Sequence, residues 1–184
     1  TATSAQTLFL GGVTASNVTN GATLIVRSNP NAINGTFVSQ PGSLLRVDQG
    51  PINAQALLTI ANGFVNDGAI ELDNTGPGYP NDTRLTVTSG TLANPATGGG
   101  IQALSTVPQG DRTLAVQLDN QGTLTVAHDL LIEKASALHL NSGAINVTGG
   151  VLTLRQTGAG ASFTNSGTIA ISAGKLCAVQ GGGF

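Results

Sequence analysis

One short phrase recurs along this chain and constrains its fold more than any other feature. Its template is apolar-x-Asn-x-Gly-x-apolar-x-apolar, and the asparagine and glycine sit two residues apart in every clear copy. Such a phrase, returning every few tens of residues, indicates a stacked repeat architecture. The four clear copies are Phe64–Leu72, Leu118–Val126, Leu138–Val147 and Phe163–Ile171.

The glycine of the phrase serves as a marker for the length of one unit. Clear markers are Gly68, Gly122, Gly143 and Gly167, and weaker copies are read at Gly21, Gly42 and Gly90. Successive markers are 21 to 32 residues apart, with a mean near 24. The spacing predicts about seven units of ~24 residues.

Each unit contains two or three short apolar segments separated by Gly, Asn, Ser and Thr. Apolar residues alternate with polar ones, as in Ile145/Val147 and Ile169/Ile171, which is typical of strands with one buried face. The segment 128–140 is the one marginal helix candidate, and we interpret it as strand-turn-strand because that keeps the repeat intact. A coil this small buries its apolar face only against neighbouring coils, so the pattern predicts a β-solenoid.

Three stretches interrupt the repeat. Residues 73–84, 94–100 and 106–112 are dense in Pro and Gly, which disfavours regular strand pairing. We expect them to be loops that bulge from the stack. Insertions in repeat proteins usually gather on one face, and that face is often the functional one.

The recurring asparagine is the first candidate for a special role. Asparagine tolerates left-handed backbone and bonds neighbouring amides through its side chain. Stacked coil on coil, these residues predict a structural ladder in which each amide bonds the next. Its predicted members, with their turn glycines, are Asn66, Gly68, Asn120, Gly122, Asn141, Gly143, Asn165 and Gly167.

Composition disfavours several functional classes. Only 9% of residues are charged, the net charge is −2, and the seven Lys and Arg are scattered singly. Nucleic acid and anionic membranes are therefore poor partners, and no apolar run is long enough to span a bilayer. The single Cys177 excludes an internal disulfide and is expected to be a buried apolar residue.

The acidic residues are the candidates for catalysis. Polysaccharide-cleaving enzymes need a close set of carboxylates. Glu71 and Asp73 share strand parity and are expected to face outward beside the first long loop, with Asp82, Asp111 and Arg112 near it. We favour solvated charges over a catalytic set. The sequence predicts no metal or other cofactor, because neither His128 nor His139 has a partner at metal-ligand spacing.

Two binding alternatives remain open. Aromatic side chains often stack on sugars, and Tyr79 is the aromatic residue placed in a loop where it could contact a glycan. Flat rows of Thr-x-Thr are typical of ice-binding solenoids. Thr86-Val-Thr88 and Thr123-Leu-Thr125 match that pattern, whereas the equivalent positions of other units do not.

The units 118–150 and 163–183 resemble the degenerate repeats of large secreted bacterial surface proteins, including filamentous-haemagglutinin-like and autotransporter-passenger-like adhesins. The resemblance rests on Asn-x-Gly-Thr/Ala-apolar-x-apolar followed by Gly-x-Leu. It implies a single-stranded right-handed parallel β-helix and transfers no active site. The resemblance covers about half of the chain.

We therefore expect an all-β solenoid with three short sheets, forming a single domain over residues 1–184. The absence of Met and the start at Thr1 suggest a processed subunit or a segment of a larger extracellular bacterial assembly. The expected function is structural or adhesive: a stalk, scaffold or filament subunit that stacks end to end or on neighbouring repeats. The final Gly-Gly-Gly-Phe184 resembles the opening of another unit. Polysaccharide binding or degradation is the alternative, followed by ice binding.

Overall fold

The computed structural model describes residues 6–51, 53–76 and 78–181. They form an all-β solenoid with parallel sheets and coils of about 24 residues, which confirms the predicted fold class. Residues 182–184, where the sequence predicts the opening of a further unit, lie outside the described ranges. The strands in chain order are β1 (Thr7–Gly11), β2 (Thr14–Ala15), β3 (Val18–Asn20), β4 (Thr23–Arg27), β5 (Asn31–Ile33), β6 (Phe37–Ser39), β7 (Leu44–Asp48), β8 (Ala56–Val65), β9 (Ala69–Asp73), β10 (Thr83–Asn94), β11 (Gly100–Ala103), β12 (Arg112–Asn120), β13 (Thr123–Val126), β14 (Leu130–Ala135), β15 (Leu138–Asn141), β16 (Ala144–Val147), β17 (Val151–Thr157), β18 (Ser162–Asn165), β19 (Thr168–Ile171) and β20 (Leu176–Gln180).

Three faces surround the core. The first face is an eight-stranded sheet in the order β1-β4-β7-β9-β11-β13-β16-β19. The second face follows the order β2-β5-β8-β10-β12-β14-β17-β20. The third face consists of β3, β6, the last residues of the long strands β8, β10 and β12, and the short strands β15 and β18. Every pairing between these strands is parallel, because each strand pairs with its equivalent one coil away.

The core is built from columns of aliphatic side chains that stack along the axis. On the first face, the strand register aligns Leu24, Leu45, Ile70, Ile101, Leu124 and Ile145, all of them buried. On the third face, Phe37 and Phe64 meet edge to face with ring centroids 4.8 Å apart. Each coil therefore covers the apolar side of the next, as a coil of this size requires.

The strand register corrects the weaker repeat markers. Ile101 pairs with Ile70 and with Leu124, so the equivalent of Gly68 is Gly99 and not Gly90. Gly90 instead lies within β10, with a φ of 77°, at the bend between the second and third faces. The positions equivalent to Gly68 in the first two coils are Ala22 and Ser43, so Gly21 and Gly42 each precede them by one residue. The marginal helix candidate 128–140 forms β14, a turn and the start of β15, as interpreted from the sequence.

Close approach between coils explains the glycine of the repeat. Gly122, Gly143 and Gly167 do not have the positive φ that favours glycine. A Cβ added to Gly143 would collide with the carbonyl oxygen of Gly122, and a Cβ on Gly167 would collide with that of Gly143. The glycine is therefore required by the packing of one turn on the next, because the colliding atoms belong to the backbone.

The predicted loops lie at two corners of the solenoid. Residues 74–76 with 78–82, and residues 104–111, lie between the first face and the second in successive coils, and residues 49–51 with 53–55 lie at the same corner of the preceding coil. Residues 95–99 lie at another corner, between the third face and the first. The expected gathering on one side is therefore correct for two of the three stretches.

Candidate functional site

A continuous column of polar side chains runs inside the corner between the third and first faces. Asn94 Nδ2 donates to Asn120 Oδ1 at 2.7 Å, Asn120 Nδ2 to Asn141 Oδ1 at 2.6 Å, and Asn141 Nδ2 to Asn165 Oδ1 at 2.6 Å. The earlier coils continue the column, since Asn66 Nδ2 donates to Asn94 Oδ1 at 3.1 Å and Ser39 Oγ to Asn66 Oδ1 at 3.3 Å. We call this column the asparagine ladder.

The second amide hydrogen of Asn66, Asn94 and Asn120 is also used. Asn94 Nδ2 donates to Thr123 O and Asn120 Nδ2 to Ala144 O, both at 3.2 Å. Asn20, in the first coil, makes the equivalent bond to Leu44 O at 3.0 Å. Each of these amides therefore donates to a backbone carbonyl of the next coil, which satisfies polar groups that lie buried.

Sequence reasoning placed Asn66, Asn120, Asn141 and Asn165 in one column, and all four lie in the ladder. It missed Asn20, Ser39 and Asn94. At Asn94 the template is hidden, because four residues, 95–98, separate the asparagine from the equivalent glycine, Gly99, where the template has one. None of the ladder asparagines has a positive φ, so left-handed backbone is not the reason that asparagine recurs at this position of the repeat.

Two buried carboxylates fasten the loops at the corner between the first and second faces. Asp48 accepts hydrogen bonds from Thr75 Oγ1 at 2.8 Å and from Gly50 N at 3.0 Å, and pairs with Arg27 Nη2 at 3.0 Å. Asp73 accepts from Thr106 Oγ1 at 2.7 Å in the following coil. Each carboxylate therefore binds the loop of the next coil.

This arrangement corrects the expected orientation of Asp73. Glu71 and Asp73 do not face outward together: Glu71 lies on the outer surface, where Arg46 Nε donates to it at 2.6 Å, whereas Asp73 is buried. The strand ends at Asp73, so its side chain turns into the corner instead of following strand parity. The two carboxylates therefore do not face a common surface.

Arg112 is fully buried beneath the loop 104–111. It occupies an inner position of the second face, in register with Thr83 and Leu130. Its guanidinium donates to four carbonyl oxygens of the preceding loop: Leu104 at 3.3 Å, Val107 at 3.2 Å, Gln109 at 2.7 Å and Gly110 at 2.8 Å. Burial lowers the pKa of Arg112, while the nearby Asp73 acts in the opposite direction. The sequence suggested only that Arg112 lies near a loop.

Ion pairs on the outer surface also join separate coils. Arg84 Nη1 contacts Glu133 Oε1 at 2.9 Å, and Arg155 Nη1 contacts Glu133 Oε2 at 3.1 Å. Arg84 lies on β10 and Glu133 on β14, so the first contact passes over the intervening strand β12. Ala115, on that strand, is buried although its register places it on the outer side.

A shallow groove of about 320 Å³ lies on the second face beside these ion pairs. Its rim carries Asp111 and Asp129 on one side and Arg155 and Gln180 on the other, with Leu131 and Thr153 between them. Asp129 Oδ1 accepts a hydrogen bond from Val151 N at 2.8 Å. Asp82 lies outside the groove and accepts a bond from Asp111 N at 2.8 Å.

His139 occupies a core position of the third face. It is in register with Phe163, and its Nδ1 accepts a hydrogen bond from Leu118 N at 3.3 Å. Its Nε2 is buried without a hydrogen-bond partner. Burial, followed by the charge of Lys134, lowers the pKa of His139 to about 4. The sequence offered a signal that was not used: His139 stands where the other clear copies have Phe or Leu.

The remaining candidates are separated from one another. Tyr79 lies partly exposed in the loop 74–82, where its carbonyl accepts a bond from Asn74 Nδ2 at 3.1 Å. Cys177 is partly buried against the core, and burial raises the pKa of its thiol. Thr86 and Thr123 lie on different faces, and their neighbours in the register include Ala115 and Ala144. A continuous threonine row is therefore not formed at these positions.

Within the described ranges, no group of three or more His, Cys, Asp or Glu side chains is arranged to hold a metal ion. The same residues include no helix of the length and hydrophobicity needed to cross a membrane. Comparison of the chain with protein-family models, curated proteins and solved structures found no match.

Proposed function

We propose that this chain is a non-catalytic structural rod, serving as a stalk, scaffold or filament segment of a bacterial surface or secreted protein. The observation that carries the proposal is the asparagine ladder, which links the coils from Ser39 to Asn165 through buried side-chain hydrogen bonds. Buried amides in this arrangement hold successive coils in one register.

The charged residues support the same function. Asp48, Asp73 and Arg112 bind backbone or side-chain groups of neighbouring loops, and Glu133 joins Arg84 to Arg155. Asp48, Asp73 and Glu133 join separate coils, and Arg112 fixes the loop that precedes it, so these groups favour a mechanical role over the activation of a substrate. The eight strands of the first face are separated by seven intervals of ~4.8 Å, which gives a stack roughly 34 Å long.

The localisation and the adhesive role rest on the sequence. The low content of Lys and Cys, the abundance of Thr, Ser, Asn and Gly, and the resemblance of the repeat to bacterial adhesins favour an extracellular setting. The partners proposed on this basis are further solenoid coils, from another copy or from a neighbouring repeat segment, and surface glycans.

Force measurement tests the structural role. The chain, held at both ends in an optical trap, is expected to resist extension and then to unfold in one or two cooperative steps, because the ladder couples the coils. The Asn120→Ala variant should unfold at lower force, whereas Asn146→Ala, on the outer side of the first face, should match the wild type. Extension of single coils at low force in the wild type would contradict the proposal.

The groove on the second face supports a second candidate, the binding of a polysaccharide. Asp111, Asp129, Arg155 and Gln180 offer hydrogen-bonding groups around a floor of Leu131 and Thr153. A glycan screen of the wild type, the double variant Asp111→Asn/Asp129→Asn and Tyr79→Ala separates the two contact sites. Binding lost only in the double variant places the glycan in the groove, whereas loss only in Tyr79→Ala places it at the loop.

A further inference from the structure

The two ends of the coil stack expose inner apolar positions that are buried in the coils between them. On the first face, Ile171 is 48% exposed, whereas Val147, its equivalent one coil earlier, is 0% exposed. At the opposite end Leu8 is 43% exposed and its equivalent Leu24 is 1% exposed. Both ends therefore leave core side chains in contact with water.

Unused backbone groups accompany these apolar positions. In the described sheets β1 and β19 are the terminal strands of the first face, and β20 is terminal on the second face. Each pairs along one side only. An exposed edge of this kind is a template for a further strand. The ladder ends similarly, because Asn165 Nδ2 donates to Gly167 O of its own turn at 3.3 Å instead of to another asparagine.

The two ends match each other in pattern. Strand β19 has the sequence Thr168-Ile-Ala-Ile171, and β1 begins Thr7-Leu-Phe-Leu10, so each places two large aliphatic residues inward. Pairing of β19 with β1 in the internal register would place Ile169 on Leu8 and Ile171 on Leu10. Within the chain, Ile145 already pairs with Ile169 and Val147 with Ile171 in the same way.

We propose that the end carrying β19 and β20, which we call the tail, binds the β1 end, which we call the head, of a second copy of this chain. The contact continues the coil-on-coil interface that stacks the chain internally, with parallel strands and inner residues over inner residues. Two identical ends facing each other would be related by a two-fold axis. Their strands would then run antiparallel, and at most one of the three faces would meet its own equivalent.

A head-to-tail contact is heterologous and does not close on itself, so the expected product is an open-ended rod. This inference rests on the proposed structural function and names the partner. Its failure would leave that function in place, because a chain that stays monomeric still forms a stack of coils able to act as a stalk.

The test uses the 184-residue chain and two charged variants. Leu8→Lys places a charge at the β1 end, and Ile171→Lys places one at the opposite end. Burying an unpaired lysine in the contact should weaken association by more than about tenfold. Val38→Lys, at an exposed position on the third face, is the matched control. Circular dichroism and thermal unfolding establish that each variant is folded.

Sedimentation equilibrium is expected to show concentration-dependent oligomers for the wild type and Val38→Lys, and monomers for each end variant alone. An equimolar mixture of the two end variants should form dimers and nothing larger, because one intact tail meets one intact head. A wild type that stays monomeric at all concentrations overturns the stacking proposal while leaving the structural function in place. Dimers of Leu8→Lys alone would show a tail-to-tail contact and would also overturn it. The wild-type measurement decides whether the chain associates even if an end variant does not fold.

Discussion

The amide of Asn120 donates a 2.6 Å hydrogen bond to Asn141 Oδ1 on the next coil while its own Oδ1 accepts a 2.7 Å bond from Asn94. A single side chain thus connects three coils at a buried position. This relationship makes the middle of the ladder the most sensitive polar site of the core.

Asn120→Ala is expected to lower the free energy of unfolding by about 2–4 kcal/mol, because it leaves a donor on Asn94 and an acceptor on Asn141 buried without partners. Urea denaturation followed by circular dichroism measures the change. Asn165→Ala, at the end of the ladder, removes only one inter-coil bond and should cost distinctly less. Equal losses for the two variants would argue against a cooperative ladder.

Gly143→Ala is expected to destabilise the chain by about 1–3 kcal/mol, as overpacking of a core does. The added Cβ would strike the carbonyl oxygen of Gly122, which cannot move without shifting a whole coil. Gly11→Ala is the control, because its Cβ would meet its nearest neighbour, Ser28 Oγ, at an ordinary 3.5 Å. Thermal unfolding of both variants provides the measurement, and a neutral Gly143→Ala would show that the turns are less tightly stacked than they appear in the structure.

Acid should weaken the fold through His139. Its pKa in the folded chain is about 4, below the ordinary value of 6.5, so between these values the unfolded state binds more protons. The associated stability is complete above pH 6.5 and is lost as the pH falls toward 4, by about 3 kcal/mol in total.

The measurement for His139 is a series of urea titrations from pH 7 to pH 4. His139→Leu removes the titrating group from the core column and should flatten the stability profile in this window, whatever its stability at pH 7. Asn146→Ala, which changes a non-titrating side chain on the outer side of the first face, should keep the wild-type slope. An unchanged slope in His139→Leu would assign the acid sensitivity to other groups.

Arg112→Met is expected to release the loop 104–111 and to destabilise the chain by about 3 kcal/mol, because four carbonyl oxygens lose a charged donor inside the fold. Hydrogen exchange within 104–111 should rise with the loss of stability. Arg112→Lys should rescue only part of it, since an ammonium lacks the planar fork of a guanidinium.

Arg155→Met supplies the comparison for Arg112, because it removes a surface ion pair with Glu133. Such pairs contribute about 0–1 kcal/mol, so this variant should remain close to the wild type. If both arginine variants lost similar stability, the loop bonds of Arg112 would not be the main contribution.

Much of the fold was predictable from the repeat itself. A period near 24 residues, with alternating apolar residues such as Ile145 and Val147, requires each coil to be covered by another, and the parallel register follows from that stacking. The ladder positions of Asn66, Asn120, Asn141 and Asn165 follow from the same periodicity. Insertions obscured it elsewhere, so Asn94 was missed and Gly90 was taken for the equivalent of Gly99.

The sequence alone determined that the chain winds into stacked coils with an aliphatic interior, because its period and alternation leave no other way to bury the apolar residues. Only the tertiary structure decided which polar residues are inside. Asp73 and His139 are buried and bond residues one coil away, 33 and 21 positions distant, and local sequence carries no record of such neighbours. Arg112 is buried beneath the loop just before it, whose path is set by the stacking of the coils. The same is true of the repeat glycines, such as Gly143 and Gly167. Glycine is required there because a carbonyl oxygen of the preceding coil lies too close for a Cβ, and that oxygen becomes a neighbour only when the chain has folded.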